Sequence, residues 1–100
     1  MVPANTVADV LHDKREEVRR IAAAHGARNV RVFGSCARGE AGPASDIDLL
    51  VDTAPVTSPW FPAGLIVDLE DLLGRHVDVV TESGLNPLIR DRVLREAVTL

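Results

Sequence analysis

Val32-Phe33-Gly34-Ser35-Cys36-Ala37-Arg38-Gly39, followed shortly by Ser45-Asp46-Ile47-Asp48-Leu49-Leu50-Val51, is the stretch from which the architecture of this chain can be read. A short apolar run ends in a Gly-Ser turn, and a second apolar run opens with two aspartates separated by one residue. The second run is apolar on both sides after its acidic start, the pattern of a central strand. Residues two apart on a strand point to the same side, so the Asp46 and Asp48 side chains converge. Burying two carboxylates costs several kcal/mol each unless something positive compensates them. The simplest compensation is a hard divalent cation with oxygen ligands; Mg²⁺ is commonly held by one or two carboxylates plus substrate phosphates. The Gly34-Ser35 turn supplies the other half, backbone N–H groups that a phosphate can approach with no Cβ in the way. Turn and carboxylates together predict a metal-assisted nucleotide site.

Outward from this stretch, the chain alternates helices and strands. Val7, Val10, Leu11, Val18, Ile21 and Ala22 have helical spacing over Val7–His25, and Gly26 stops that helix. Asn29–Phe33 is a strand delivering the chain to Gly34, and Cys36–Gly39 is expected to start a short helix. Gly42-Pro43, within Glu40–Ser45, signals a turn before the strand Asp46–Val51. A proline-containing loop over Asp52–Pro59 leads to a helix over Phe61–Leu73, closed by Gly74. His76–Val80 is a third strand carrying Asp78 between valines. Asn86-Pro87 is a cap and first turn for a last helix reaching about Val98, with Ile89, Val93, Leu94 and Ala97 facing inward. The order predicts an α/β (α+β) domain, a small mixed sheet of three or more strands backed by helices.

At 100 residues the chain is expected to be one domain, residues 1–100. Apolar residues make up 46% and aromatics only 3%, so Val, Leu, Ile and Ala must build the core. A charged share of 26% is ordinary and does not predict disorder. The one cysteine, Cys36, excludes an internal disulfide and a multi-cysteine zinc site, and fits a reducing cytoplasm. No apolar run has the length to span a bilayer, and the N-terminus lacks a signal-peptide pattern. The net charge of −4 argues against non-specific nucleic-acid binding, and part of that acidity belongs to the aspartates of the site.

The string GSCARGEAGPASDIDLLV resembles the signature of the minimal nucleotidyltransferases, the smallest members of the DNA polymerase beta-like superfamily. That pattern is Gly-Ser, a short spacer, Asp-x-Asp, and a third carboxylate on a later strand; Gly34, Ser35, Asp46 and Asp48 match, and Asp78 is the third. The resemblance covers about Asn29 to Val98. It implies the nucleotidyltransferase fold, ATP as substrate and Mg²⁺, with two ions about 4 Å apart in such chemistry. Asp46 and Asp48 would bridge both ions, and Asp78 would hold the one that activates the acceptor. Ser35 would bond a terminal phosphate oxygen. Arg38 would either neutralise triphosphate charge or pair with Glu40 or Glu70.

The resemblance also implies a partner. Minimal nucleotidyltransferases are commonly paired with HEPN-domain ribonucleases, and act as antitoxins by transferring AMP to a tyrosine hydroxyl of the toxin. The separate helical domain with which larger relatives bind small acceptors has no room here, so the acceptor is expected on a partner protein. Two alternatives stay open: a non-catalytic module that masks its partner, and a transferase acting on a small molecule or nucleic acid. Three converged carboxylates favour catalysis over masking.

The remaining candidates have plainer readings. His12, His25 and His76 share no metal spacing and belong at the surface or at helix ends. Cys36 has no evident His or Asn partner and is expected to be a small semi-buried side chain. Asp52 is expected to cap its strand, and Trp60-Phe61 to pack in the core or serve as a docking patch.

Overall fold

The structure, a computed structural model, describes residues 7–40, 42 and 45–100. Helices α1 (Val7–Asp13) and α2 (Arg15–Ala24) precede strands β1 (Ala27–Phe33) and β2 (Ile47–Thr53). Helix α3 (Ala63–Leu73), strand β3 (Val77–Thr81), a 3₁₀ turn at Glu82–Gly84, helix α4 (Pro87–Glu96) and strand β4 (Val98–Thr99) follow. The four strands form one mixed sheet in the order β3-β2-β1-β4. β2 and β3 are parallel, joined through α3, while β1 runs antiparallel to both β2 and β4.

β2 is central because it is apolar on both faces, as its sequence predicts. Ile47, Leu49 and Val51 face one way and join Val18, Ala22, Leu65 and Leu69 of the helices in the larger core cluster. Leu50 faces the other way and packs with Leu85 and Val93, flanked by Phe33 and Val80. Helices α1–α3 therefore back one face and α4 covers the middle of the other. Asp48, Leu50 and Asp52 lie on the α4 face by alternation. Only Leu50 is fully covered; the aspartates on either side of it remain accessible.

Several boundaries differ from the sequence expectation. The predicted helix Val7–His25 is two helices separated by Lys14, although Lys14 N–H still bonds Val10 O and its own carbonyl accepts from Val18 N–H. Its stop is as predicted: Gly26 adopts φ +84°, and a Cβ there would lie 2.4 Å from the Val56 carbonyl oxygen. β1 begins earlier than Asn29 because a bulge between Arg28 and Arg31 absorbs Asn29, at φ +49°, without ending the pairing to β2. α3 starts at Ala63 rather than Phe61, since Pro62 takes the N-cap place and has no N–H to donate. α4 is capped as read, Asn86 Oδ1 accepting from Leu88 N–H at 2.9 Å. It stops at Glu96 because Ala97 turns extended and Val98–Thr99 pair with Val32 and Arg31. Two β-branched residues at a free sheet edge gain more from pairing than from another helical turn. Of the Gly42-Pro43 turn, Pro43 lies outside the described residues; Ser45 N–H bonds Gly42 O at 3.1 Å, and Gly42 N–H bonds Ser45 Oγ at 2.8 Å.

Candidate active site

The end of β1 and the starts of β2 and β3 meet at one end of the sheet. Phe33 pairs with Asp48, and Asp48 with Asp78. Beyond Phe33, Gly34 takes φ +74°, a conformation that L side chains rarely adopt. A Cβ on Gly34 would lie 2.5 Å from Asp48 Oδ2. The backbone of the turn therefore rests directly on the Asp48 carboxylate, and glycine is required there by both torsion and space. The helix expected over Cys36–Gly39 is absent. Arg38 N–H bonds Gly34 O at 3.1 Å, Glu40 N–H bonds Ser35 O at 2.9 Å, and Gly39, at φ +73°, reverses the chain before a helix can extend. What stands at the phosphate end is thus a set of turns.

The aspartates are less enclosed than the sequence predicts. Asp48 is half-buried, Asp46 and Asp78 are exposed, and no charged residue among those described is buried. The reason is their place at the strand starts, beyond the reach of α4. Asp46 precedes β2, whose first residue, Ile47, is fixed by its N–H to His76 O at 2.9 Å. Partial burial, the largest cause, pushes the Asp48 carboxyl above its ordinary range; the charges of Asp78 and Asp46 push the same way and Arg38 opposes them. Asp48 thus feels both other carboxylates.

Among the described residues, no group of three His, Cys, Asp or Glu side chains stands as a ready ligand cluster for a metal ion. The chemistry of the donors still fits a hard cation. Every donor is a carboxylate oxygen, and their repulsion at Asp48 is of the kind a cation relieves.

A cleft of about 340 Å³ opens beside Asp48, with Gly34, Ser35 and Arg38 along one wall. The other wall is a stripe of α4, Ile89, Arg92, Val93 and Glu96, spaced as one helical face. Arg38 pairs with Glu40 (Nε to Oε2, 2.8 Å) and Glu96 (Nη1 to Oε1, 3.0 Å), two bonds that hold its guanidinium still more firmly protonated. The expected alternative, Glu70, is engaged elsewhere: its Oε2 accepts from Val77 N–H at 3.0 Å and lies 3.2 Å from His76 Nδ1. Arg92 and Glu96 were not singled out by the sequence reading. Their signal was Val93, an inward residue whose helical neighbours they are.

The plainer candidates divide. Cys36 is buried, not semi-buried; burial first, then Asp48, pushes its thiol up, which disfavours a thiolate nucleophile. His12 lies beside Arg15, while His25 bridges Ser58 Oγ at 2.6 Å and Asp68 Oδ2 at 2.7 Å. Asp52 does not cap its strand. It accepts from Arg31 Nη2 at 2.8 Å and Asn29 Nδ2 at 3.0 Å, tying the bulge to β2. Trp60 and Phe61 separate: Phe61 packs on the core and Trp60 is 87% exposed. No helix among the described residues is long and apolar enough to cross a membrane.

Comparison with known proteins bears on this site. Residues 13–100 match the nucleotidyltransferase domain family. Protein adenylyltransferase MntA of Thermococcus cleftensis is 43% identical, over 83% of this chain and 92% of that protein. A protein assigned as a protein adenylyltransferase in Methanocaldococcus jannaschii is 38% identical, over 88% of this chain and 95% of that one. A solved structure assigned as a minimal nucleotidyltransferase superposes with TM-score 0.83 at 47% identity, over 98% of this chain and 100% of the other. A crystal structure of a toxin-antitoxin with AMP-PNP shares the fold, with TM-score 0.69 at 22% identity, over 87% of this chain and 69% of the other.

Proposed function

Because this chain belongs to the nucleotidyltransferase domain family, we propose that it transfers AMP from ATP to a hydroxyl of a partner protein, a HEPN-family toxin, and so acts as its antitoxin. The observation that carries the reading is the contact of the Gly34 backbone with the Asp48 carboxylate, at the mouth of a cleft that also presents Ser35 and Arg38. A phosphate chain lying along that turn is brought beside the carboxylates with no side chain intervening. That the acceptor is a protein is supported by relatives named as protein adenylyltransferases.

In this reading the Ser35 hydroxyl and the turn's N–H groups bond the β- and γ-phosphate oxygens, and Arg38 offsets their charge. Asp46, Asp48 and Asp78 would hold Mg²⁺, which when bound neutralises triphosphate charge and acidifies the acceptor hydroxyl. The acceptor oxygen forms a bond to the α-phosphorus as the bond from that phosphorus to the bridging oxygen breaks, and pyrophosphate leaves with the electron pair. Asp78, exposed beside Asp48, is the carboxylate open to the acceptor side and takes the hydroxyl proton.

The test is intact-mass measurement of a purified HEPN toxin after incubation with this protein, Mg²⁺ and ATP. An added AMP on the toxin, absent with Asp48→Asn, is the expected result, with the toxin inactive after separation. A masked partner recovers on dissociation because binding is reversible. Neutralisation by Asp48→Asn equal to wild type, with no added mass in either case, would replace transfer by masking.

A further inference from the structure

We propose that Glu96 is a positioning residue of the nucleotide cleft, holding Arg38 beside the Gly34-Ser35 turn and drawing Arg92 to the same carboxylate so that two guanidiniums face the triphosphate. The proposal rests on the nucleotide-binding reading above and adds the last helix to it.

Arg38 lies in the connection after β1, a set of turns without a helix to fix its side chain. Two carboxylates fix it instead. Glu40 takes Nε at 2.8 Å and Glu96 takes Nη1 at 3.0 Å, leaving Nη2 without a partner among the described residues. The two carboxylates are not equivalent. The Glu40 side chain is 61% exposed, two residues along the same turn, whereas that of Glu96 is 21% exposed and belongs to α4, 58 residues away. Exposed ion pairs hold geometry weakly, and sheltered ones hold it better. Glu96 Oε1 is also 3.7 Å from Arg92 Nε, so one oxygen gathers both arginines across the cleft from Ser35.

The pairing matters for binding an anion. A free arginine on an exposed turn gives up rotamer freedom when it grips a phosphate; one already held loses less on binding. Charge also constrains the arrangement. Arg38 between two carboxylates is locally negative by one charge, and Arg92 restores balance. The phosphate chain is thus met by Nη2 of a fixed guanidinium and by Arg92, whose side chain is 65% exposed and free to swing inward. If Glu96 only clipped α4 to the turn, its removal would lower stability and leave nucleotide affinity alone.

The experiment is calorimetric titration of Mg²⁺-ATP into the whole chain without acceptor, with thermal unfolding in parallel. Glu96→Ala is expected to weaken ATP binding about tenfold, the scale of one charge-assisted hydrogen bond. Glu96→Gln, which keeps an oxygen acceptor, should recover most of that loss. In an Arg38→Ala background Glu96→Ala should add less than about twofold, since the two act as a unit. Arg95→Ala, exposed on the same helix and outside the cleft, is the control and should bind as wild type. Arg38→Lys, which keeps one charge but cannot span both carboxylates, should match the tenfold loss and reads the same geometry if Glu96→Ala does not fold. Wild-type affinity in Glu96→Ala, full additivity with Arg38→Ala, or full affinity in Arg38→Lys would overturn the proposal while leaving the nucleotide reading standing. A wild-type protein that binds no ATP would overturn both.

Discussion

Gly34 and Gly39 share nearly the same torsion, φ +74° and +73°, but differ in surroundings, and that difference makes a matched pair of substitutions. A Cβ at Gly39 would meet nothing within 4 Å, whereas one at Gly34 would sit 2.5 Å from Asp48 Oδ2 and 3.4 Å from Asp48 Cγ. Each alanine carries the left-handed backbone penalty of about 1–2 kcal/mol. For a domain of this size that corresponds to a fall in Tm of roughly 4–8 °C per kcal/mol. Gly34→Ala carries a second consequence. An ordinary carbon–oxygen contact is about 3.3 Å or longer, so the Asp48 carboxylate must swing by roughly 1 Å. Because Asp48 is half-buried it has room to move, and folding survives. A displacement of about 1 Å at a reacting centre costs on the order of 10²-fold in rate. We therefore expect similar losses of Tm in the two variants, with AMP transfer preserved in Gly39→Ala and reduced about 10²-fold in Gly34→Ala. Transfer measured by intact mass over time, alongside calorimetric melting, reads both quantities. Turnover in Gly34→Ala within about threefold of Gly39→Ala would refute the claim that the glycine makes room for the catalytic carboxylate.

Two further outcomes are expected. In metal-free buffer Asp48→Asn should raise Tm while abolishing transfer. The Asp48 carboxyl is raised above its unfolded value, so the native state binds more protons and stability falls as pH rises through that raised pKa. Melting curves from acid to neutral pH should show that fall in wild type and less of it in the variant. His25→Ala removes both the 2.6 Å contact to Ser58 and the 2.7 Å contact to Asp68, and should lower the unfolding free energy by about 1–2 kcal/mol in urea titrations with ATP affinity unchanged.

What could be read from the sequence, and what could not, divides by the range of the interaction. Gly34, Asp48 and Asp78 were legible because each announces its place locally: a glycine after an apolar run, and an aspartate near the start of an apolar strand. Parallel pairing of β2 and β3 then sets Asp48 beside Asp78. The exposure of Asp46 and Asp78 was not legible, since an apolar run following an aspartate shows that the strand is central but not how far the covering helix extends. The helix expected at Cys36–Gly39 failed because Gly39 reverses the chain, and glycine's tolerance of positive φ is visible in sequence only as an option. The C-terminal strand was missed because its partner, β1, decides it. The Arg38–Glu96 pair lay furthest from view, since Glu40 is close in sequence and Glu96 becomes a neighbour only once the sheet has folded. Yet half of that pairing was implicit. Val93 was expected to face inward and does; a residue three positions on shares that face of a helix. With β1 ending under the same face, Glu96 is placed opposite the turn that carries Arg38. The last helix therefore does more than cover Leu50: the face that closes the core also brings a carboxylate to the nucleotide cleft.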